Sequence, residues 1–197
     1  MPSHPGIRAL ADLLIPCSQS GEGAPHDLAG VAEAERRLRI RLPADYVDFI
    51  RTYGSGGVGG DPLWIPPPYD ASGGESVVGS AELFWEQAPE SYAQWLPSDV
   101  NADMLIRWGF IEDGTHLFWL MNGDDSNGWP IAELYEDGGP FTVHEGGFAA
   151  YVQRWCTPVA GCDAEPVRFI HWRVFNRLLD QGLDPTTGIP GYFPSVM

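Results

Sequence analysis

The segment Asn122-Gly123-Asp124-Asp125-Ser126-Asn127-Gly128 is dense in oxygen donors, the ligands that a hard cation such as calcium requires. Its spacing fails the test. With Gly128 set as the loop glycine of an EF-hand, Gly123 falls on the first ligand position and Leu134 on that of the bidentate glutamate. The segment reads instead as a polar connection between strands. Gly54-Ser55-Gly56-Gly57-Val58-Gly59 satisfies G-x-G-x-x-G literally, but a dinucleotide site needs that loop between a strand and the helix whose N-terminus meets the pyrophosphate. Here it follows a helical pattern and precedes a strand. His4, His26, His116, His144 and His171 are scattered and show no H-E-x-x-H or other ligand spacing. His116 with Glu112 or Asp113 would face across a tight turn, which makes no pocket. No G-x-S-x-G offers a nucleophile elbow. The expectation is a protein that is no enzyme and holds neither cofactor nor metal.

Charge narrows the partners. The formal net charge is −16, and every basic residue other than histidine is arginine. Without lysine there is no P-loop lysine, no Schiff-base lysine and no lysine-rich phosphate patch. A chain this acidic is repelled by nucleic acid and by anionic membrane, and is steered toward basic proteins. Cys17, Cys156 and Cys162 lack the paired spacing of a zinc site or a redox C-x-x-C and read as free thiols, which suits a reducing, cytoplasmic setting. No apolar run reaches the length of a membrane span, and no basic segment leads into an apolar stretch at the amino terminus.

The elements that would position any site follow from periodicity. Val31, Ala34, Leu38 and Leu42 recur at helical spacing, with Glu35 on the same stripe, and Leu42-Pro43 opens a second helix. Its buried face is Tyr46, Phe49, Ile50 and Tyr53, and Gly54 stands where a left-handed cap is needed. A shorter pattern over Gly6 to Ile15 ends at Pro16. The glycine-dense stretch from Gly54 to Gly60, the brief apolar run Leu63-Trp64-Ile65 and the prolines Pro66 to Pro68 read as surface loop around a short strand. Ser76 to Leu96 reads as strand then helix. Leu105 to Ile111 and Thr115 to Met121 flank Asp113-Gly114 and predict a hairpin, with Trp129 to Tyr135 and Phe141 to His144 as further strands. Phe148, Tyr151, Val152 and Trp155 form a late helical stripe. Pro166 to Gln181, apolar on more than one face, predicts a last helix that packs on the body or leaves a homodimer contact open.

The string Glu35-x-x-Leu38, then Leu42-Pro43-x-x-Tyr46-x-x-Phe49 closed by Tyr53-Gly54, resembles the opening signature of the SUKH superfamily, which contains bacterial immunity proteins and yeast cell-wall-assembly regulators. Trp108-Gly109 leading into Asp113-Gly114, Leu117-Phe118-Trp119-Leu120, Trp129-Pro130 and the helix with Phe148, Tyr151 and Trp155 are similar to its later half. Arg39 stands where that family often has a helix-ending glycine. The resemblance divides the chain into an N-terminal arm (1–27), a SUKH-like domain (28–156) and a C-terminal extension (157–197) carrying the last helix. The fold expected is α+β, an antiparallel sheet of about four to six strands with helices packed against it.

What the resemblance implies is a non-catalytic protein-binding module, an immunity protein that neutralises a cognate toxin with a basic surface by occluding it. A regulatory scaffold like the cell-wall regulators is the alternative, and a hydrolase or metal-dependent enzyme using Asp124 and Asp125 the second. The residues suited to such contact are Trp64, Tyr69, Asp70, Glu112, Asp113, Asp124, Asp125, Trp129, Glu136 and Asp137, aromatics as anchors and carboxylates as steering charges.

Overall fold

The computed structural model describes residues 4–16, 28–59, 63–73, 75–135, 138–157, 167–171 and 180–181. The helices are α1 (Pro5–Leu10), α2 (Leu28–Leu38), α3 (Ala44–Tyr53), α4 (Val77–Ser91) and α5 (Gly147–Cys156). The strands are β1 (Leu14–Pro16), β2 (Gly56–Val58), β3 (Leu63–Ile65), β4 (Leu105–Ile111), β5 (Thr115–Leu120), β6 (Ile131–Tyr135), β7 (Thr142–His144) and β8 (Val167–His171). The class is α+β, as expected, but the sheet is larger. Its order is β1-β8-β2-β3-β4-β5-β6-β7, antiparallel throughout except for β1, which runs parallel to β8.

Three corrections account for the extra strands, the first being that the end of the helical pattern expected over Gly6 to Ile15 is strand β1, Leu14–Pro16. Within the expected last helix, Val167–His171 is instead β8, which pairs with β1 on one side and β2 on the other. Its β-branched Val167 and Ile170 and aromatic Phe169 suit a strand that is covered once it is flanked. The glycine-rich segment expected at the surface is β2, buried along Gly56–Val58 in the middle of the sheet. There the glycine is a packing device: a Cβ on Gly56 would lie 2.2 Å from the Ile170 carbonyl oxygen and 2.9 Å from Phe169 Cζ. The region read as strand then helix is a single helix, α4.

Register separates two cores. Ile106, Trp119 and Ile131 stand opposite one another across β4, β5 and β6, and the alternate positions Phe118 and Ala132 point the other way. A bulge in β4 between Arg107 and Gly109 makes Trp108 the extra residue, delivered to the same core as Trp119. That first core takes Ile7 and Leu10 of α1, Tyr46, Phe49 and Ile50 of α3, and Phe148 and Val152 of α5. Leu105, Phe118, Leu120, Ala132 and Leu134 form the second with Phe84 of α4. Trp85 Nε1 donates to the Leu105 carbonyl at 2.8 Å, tying α4 to β4.

The corner between α2 and α3 forms as its residues dictate. Glu35, on the apolar stripe, is not stranded there: it accepts from the Leu42 backbone N–H at 3.1 Å and from Arg41 Nη1 at 2.9 Å, which fixes the link into α3. Pro43 is the residue ahead of α3, not its first turn. Asp45, buried, accepts from its neighbour Tyr46 N and from Ala149 N of α5, each at 2.8 Å, so one carboxylate joins the starts of two helices. Arg39 follows α2 with φ +57, a left-handed conformation that glycine adopts without Cβ strain. Arg39→Gly is therefore expected to raise stability by about 0.5–1 kcal/mol. A urea midpoint equal to or below the wild type's would contradict this.

Among the described residues, no helix is long and apolar enough to cross a membrane.

Candidate functional site

The sheet places the expected contact residues at opposite ends. Because β4, β5 and β6 alternate in direction, the β4–β5 turn with Glu112 and Asp113 lies at one end and the β5–β6 connection with Asp124 and Asp125 at the other. Seven residues of β4 separate the ends by roughly 20 Å at the usual rise per strand residue. Tyr69 and Asp70, which follow β3, belong to the second end, because Leu63 pairs with Ile111 and β3 runs away from the first. Glu136 and Asp137 lie outside the described residues. The described members of the set therefore do not form one surface.

Several of them have structural work. Trp64 is buried in β3 and stacks on Phe110 at 6.3 Å between centroids. Trp129 is buried and donates its indole N–H to the Gly123 carbonyl at 2.8 Å. Tyr69 is half-buried under the Arg37 guanidinium, 5.6 Å from its ring centre. Asp70 Oδ1 accepts from Ser72 N at 2.8 Å and Ser72 Oγ at 2.7 Å, closing a local turn. Asp113 accepts from Thr115 N at 2.9 Å, which shapes the hairpin while leaving the carboxylate exposed. Glu112 and Asp124 are exposed as well.

The oxygen-rich loop is a joint. Asp125 Oδ1 accepts from Asn127 N at 3.0 Å and Asn127 Nδ2 at 2.9 Å, and Asn127 Oδ1 in turn accepts from Ala44 N, an otherwise open donor at the start of α3, at 2.9 Å. These bonds give Asp125 and Asn127 a structural role. Among the described residues no three of His, Cys, Asp and Glu converge to hold a metal ion. Cys156 is buried, and burial pushes its thiol up to about 11, far from the thiolate that nucleophilic chemistry needs. Cys17 and Cys162 lie outside the described residues.

One polar cluster had no signal in the local spacing. Tyr151 of α5 donates its hydroxyl to Glu133 Oε1 of β6 at 2.6 Å, and His144 Nε2 of β7 lies 3.0 Å from the same oxygen. Burial, and then the bond to Glu133, raise the Tyr151 hydroxyl above its ordinary range, so it persists as a neutral donor. The cluster ties β6, β7 and α5 together. Only strand register and helix docking assemble it, since the three residues sit in three different elements.

His116 sits among aromatic rings. It packs in parallel with Phe118, ring centres 6.3 Å apart, and beside Tyr92 at 6.1 Å. Burial, and secondly the charge of Arg107, lower its imidazole from 6.5 to about 4. Between those values the unfolded chain binds more protons than the folded one, so this stabilisation is complete above pH 6.5 and is lost as pH falls toward 4. Allowing for solvent at the partly exposed ring, the expected loss between about pH 7 and pH 5 is on the order of 1–2 kcal/mol. Urea midpoints at the two pH values measure it. His116→Gln should flatten the difference, and an unchanged difference in that variant would assign the effect to other groups.

No protein-family model matches the chain, and no curated protein matches it.

Proposed function

We propose that this protein is a non-catalytic binding module of the immunity type, which neutralises a basic toxin by covering its active surface. The SUKH-like string from Glu35 to Gly54 carries the reading. A net charge of −16 supports it, because a basic partner would be drawn to such a surface at an enhanced association rate. The exposed carboxylates of Glu112, Asp113 and Asp124 are available for that steering, whereas Trp64 and Trp129 serve the interior. Asp125 is engaged with Asn127, which gives the Asp124-Asp125 hydrolase alternative no favouring observation.

The test is co-expression with the toxin encoded beside this gene. Rescue at equimolar protein, by a form that turns over no substrate, supports immunity. Growth arrest despite equimolar folded protein defeats it, and binding to several cellular proteins without rescue favours the regulatory scaffold.

A further inference from the structure

Asn-Gly occurs twice in the sequence, at Asn122-Gly123 and at Asn127-Gly128, and both pairs lie in the connection between β5 and β6. An asparagine before glycine can modify itself, because no side chain on the following residue shields its backbone nitrogen from the amide carbon. The structure treats the two pairs differently. Asn127 is clamped: its Oδ1 accepts from Ala44 N at 2.9 Å, its Nδ2 donates to Asp125 Oδ1 at 2.9 Å, and the Gly128 N–H donates to the Asp125 carbonyl at 3.0 Å. The helical turn Ser126–Gly128 therefore holds both the nucleophile and the electrophile of that pair. Asn122 is exposed, and among the described residues neither its side-chain amide nor the Gly123 N–H makes a hydrogen bond. A Cβ on Gly123 would meet nothing within 4 Å, so the backbone around the attacking nitrogen is uncrowded.

We propose that Asn122-Gly123 is a site of self-modification, at which the Gly123 nitrogen displaces ammonia from the Asn122 side chain and water opens the resulting ring to aspartate or isoaspartate. Hydroxide removes the Gly123 amide proton and the nitrogen bonds to Asn122 Cγ. The Cγ–Nδ2 bond then breaks as Nδ2 takes a proton from water and leaves as ammonia. What remains is a five-membered cyclic imide. Water cleaves either of its bonds to the Gly123 nitrogen: loss of the bond to Cγ gives aspartate, and loss of the bond to the main-chain carbon gives isoaspartate, whose chain runs through Cβ and Cγ. In sum an amide and a water become a carboxylic acid and ammonia, with no change of oxidation state.

The isoaspartate form acts on the fold. It lengthens the main chain by a carbon directly before Gly123, whose carbonyl accepts the indole N–H of buried Trp129 at 2.8 Å. Moving that carbonyl takes the acceptor from a buried donor, close to the bond by which Asn127 holds the start of α3. Aspartate at the same position adds a charge and leaves the main chain as it was.

The test ages the full-length protein in warm, mildly alkaline buffer and follows the peptides around both asparagines by mass spectrometry. Asn122 is expected to convert roughly tenfold or more faster than Asn127, because reaction at Asn127 must first break three hydrogen bonds. In urea the two rates should converge, since the clamp is gone. Gly123→Ala shields the nitrogen in a folded protein and should slow conversion of Asn122 about tenfold. Exchange of the Trp129 indole N–H, read by nuclear magnetic resonance, should quicken roughly tenfold in the isoaspartate form and keep the wild-type rate in Asn122→Asp. Equal conversion of the two asparagines in the folded protein, survival of Asn122 after the urea sample has converted, or Trp129 exchange that isoaspartate leaves unchanged would overturn the inference.

Discussion

Replacing Trp108 with alanine is expected to cost about 3–5 kcal/mol of folding stability, the range for removing a fully buried large aromatic. Trp108 is completely buried, and its ring lies 6.0 Å from that of Trp119, 4.9 Å edge-on from Phe148 and 5.8 Å from Tyr151. It therefore joins β4 to β5 and to α5 at one point. Its neighbours are held by strand pairing and by packing in the first core, so the surroundings would collapse only in part. Against a total stability of about 5–15 kcal/mol for ordinary domains, this loss is a large fraction. Among the described residues its indole N–H has no hydrogen-bond partner, which makes a second variant informative. Trp108→Phe gives up volume and no hydrogen bond, and is expected to cost only about 1–2 kcal/mol. Urea unfolding followed by circular dichroism measures both. If alanine and phenylalanine prove equally costly, packing volume at this point is not what stabilises the junction.

Gly56→Ala is expected to cost about 3 kcal/mol, at the upper end for overpacking, because the obstruction is backbone. The added methyl would sit 2.2 Å from the Ile170 carbonyl oxygen and 3.0 Å from His171 Cα, neither of which can swing aside as a side-chain tip would. Relief requires β8 to move off β2, and β1 pairs with β8. The variant should therefore show faster amide exchange in β1, β2 and β8 while β4, β5 and β6 retain their protection. Gly123→Ala is the control, since a Cβ there meets nothing within 4 Å, and its effect should stay within about 0.5 kcal/mol. Uniform loss of protection across the sheet would show instead that the β8 side is not a separable unit.

Most of the fold could be read from local pattern. Tyr46, Phe49, Ile50 and Tyr53 all enter the first core, as their helical spacing indicates, and Asp113-Gly114 makes the hairpin, with Gly114 at φ +92. Two of the errors share one cause. Gly56–Val58 and Val167–His171 are read wrongly alone because neither carries a period of its own: three residues are too few to alternate, and a strand covered by neighbours need not be polar on either face. They pair with each other from more than 100 residues apart in sequence.

The candidate contact residues divide in the same way. The acidic character of the set follows from composition. Which of them share a surface was decided by strand direction, and whether Trp64 and Trp129 face solvent was decided by burial. By itself the sequence determined the amphipathic helices, the central hairpin and the sign of the molecule's field, because these rest on neighbouring residues or on a sum over the chain. Tertiary structure alone decided the sheet's extent, the tie of Asp45 to Ala149 and the cluster of Glu133, Tyr151 and His144. Those contacts join distant segments, and no local preference encodes which distant backbone will supply a partner.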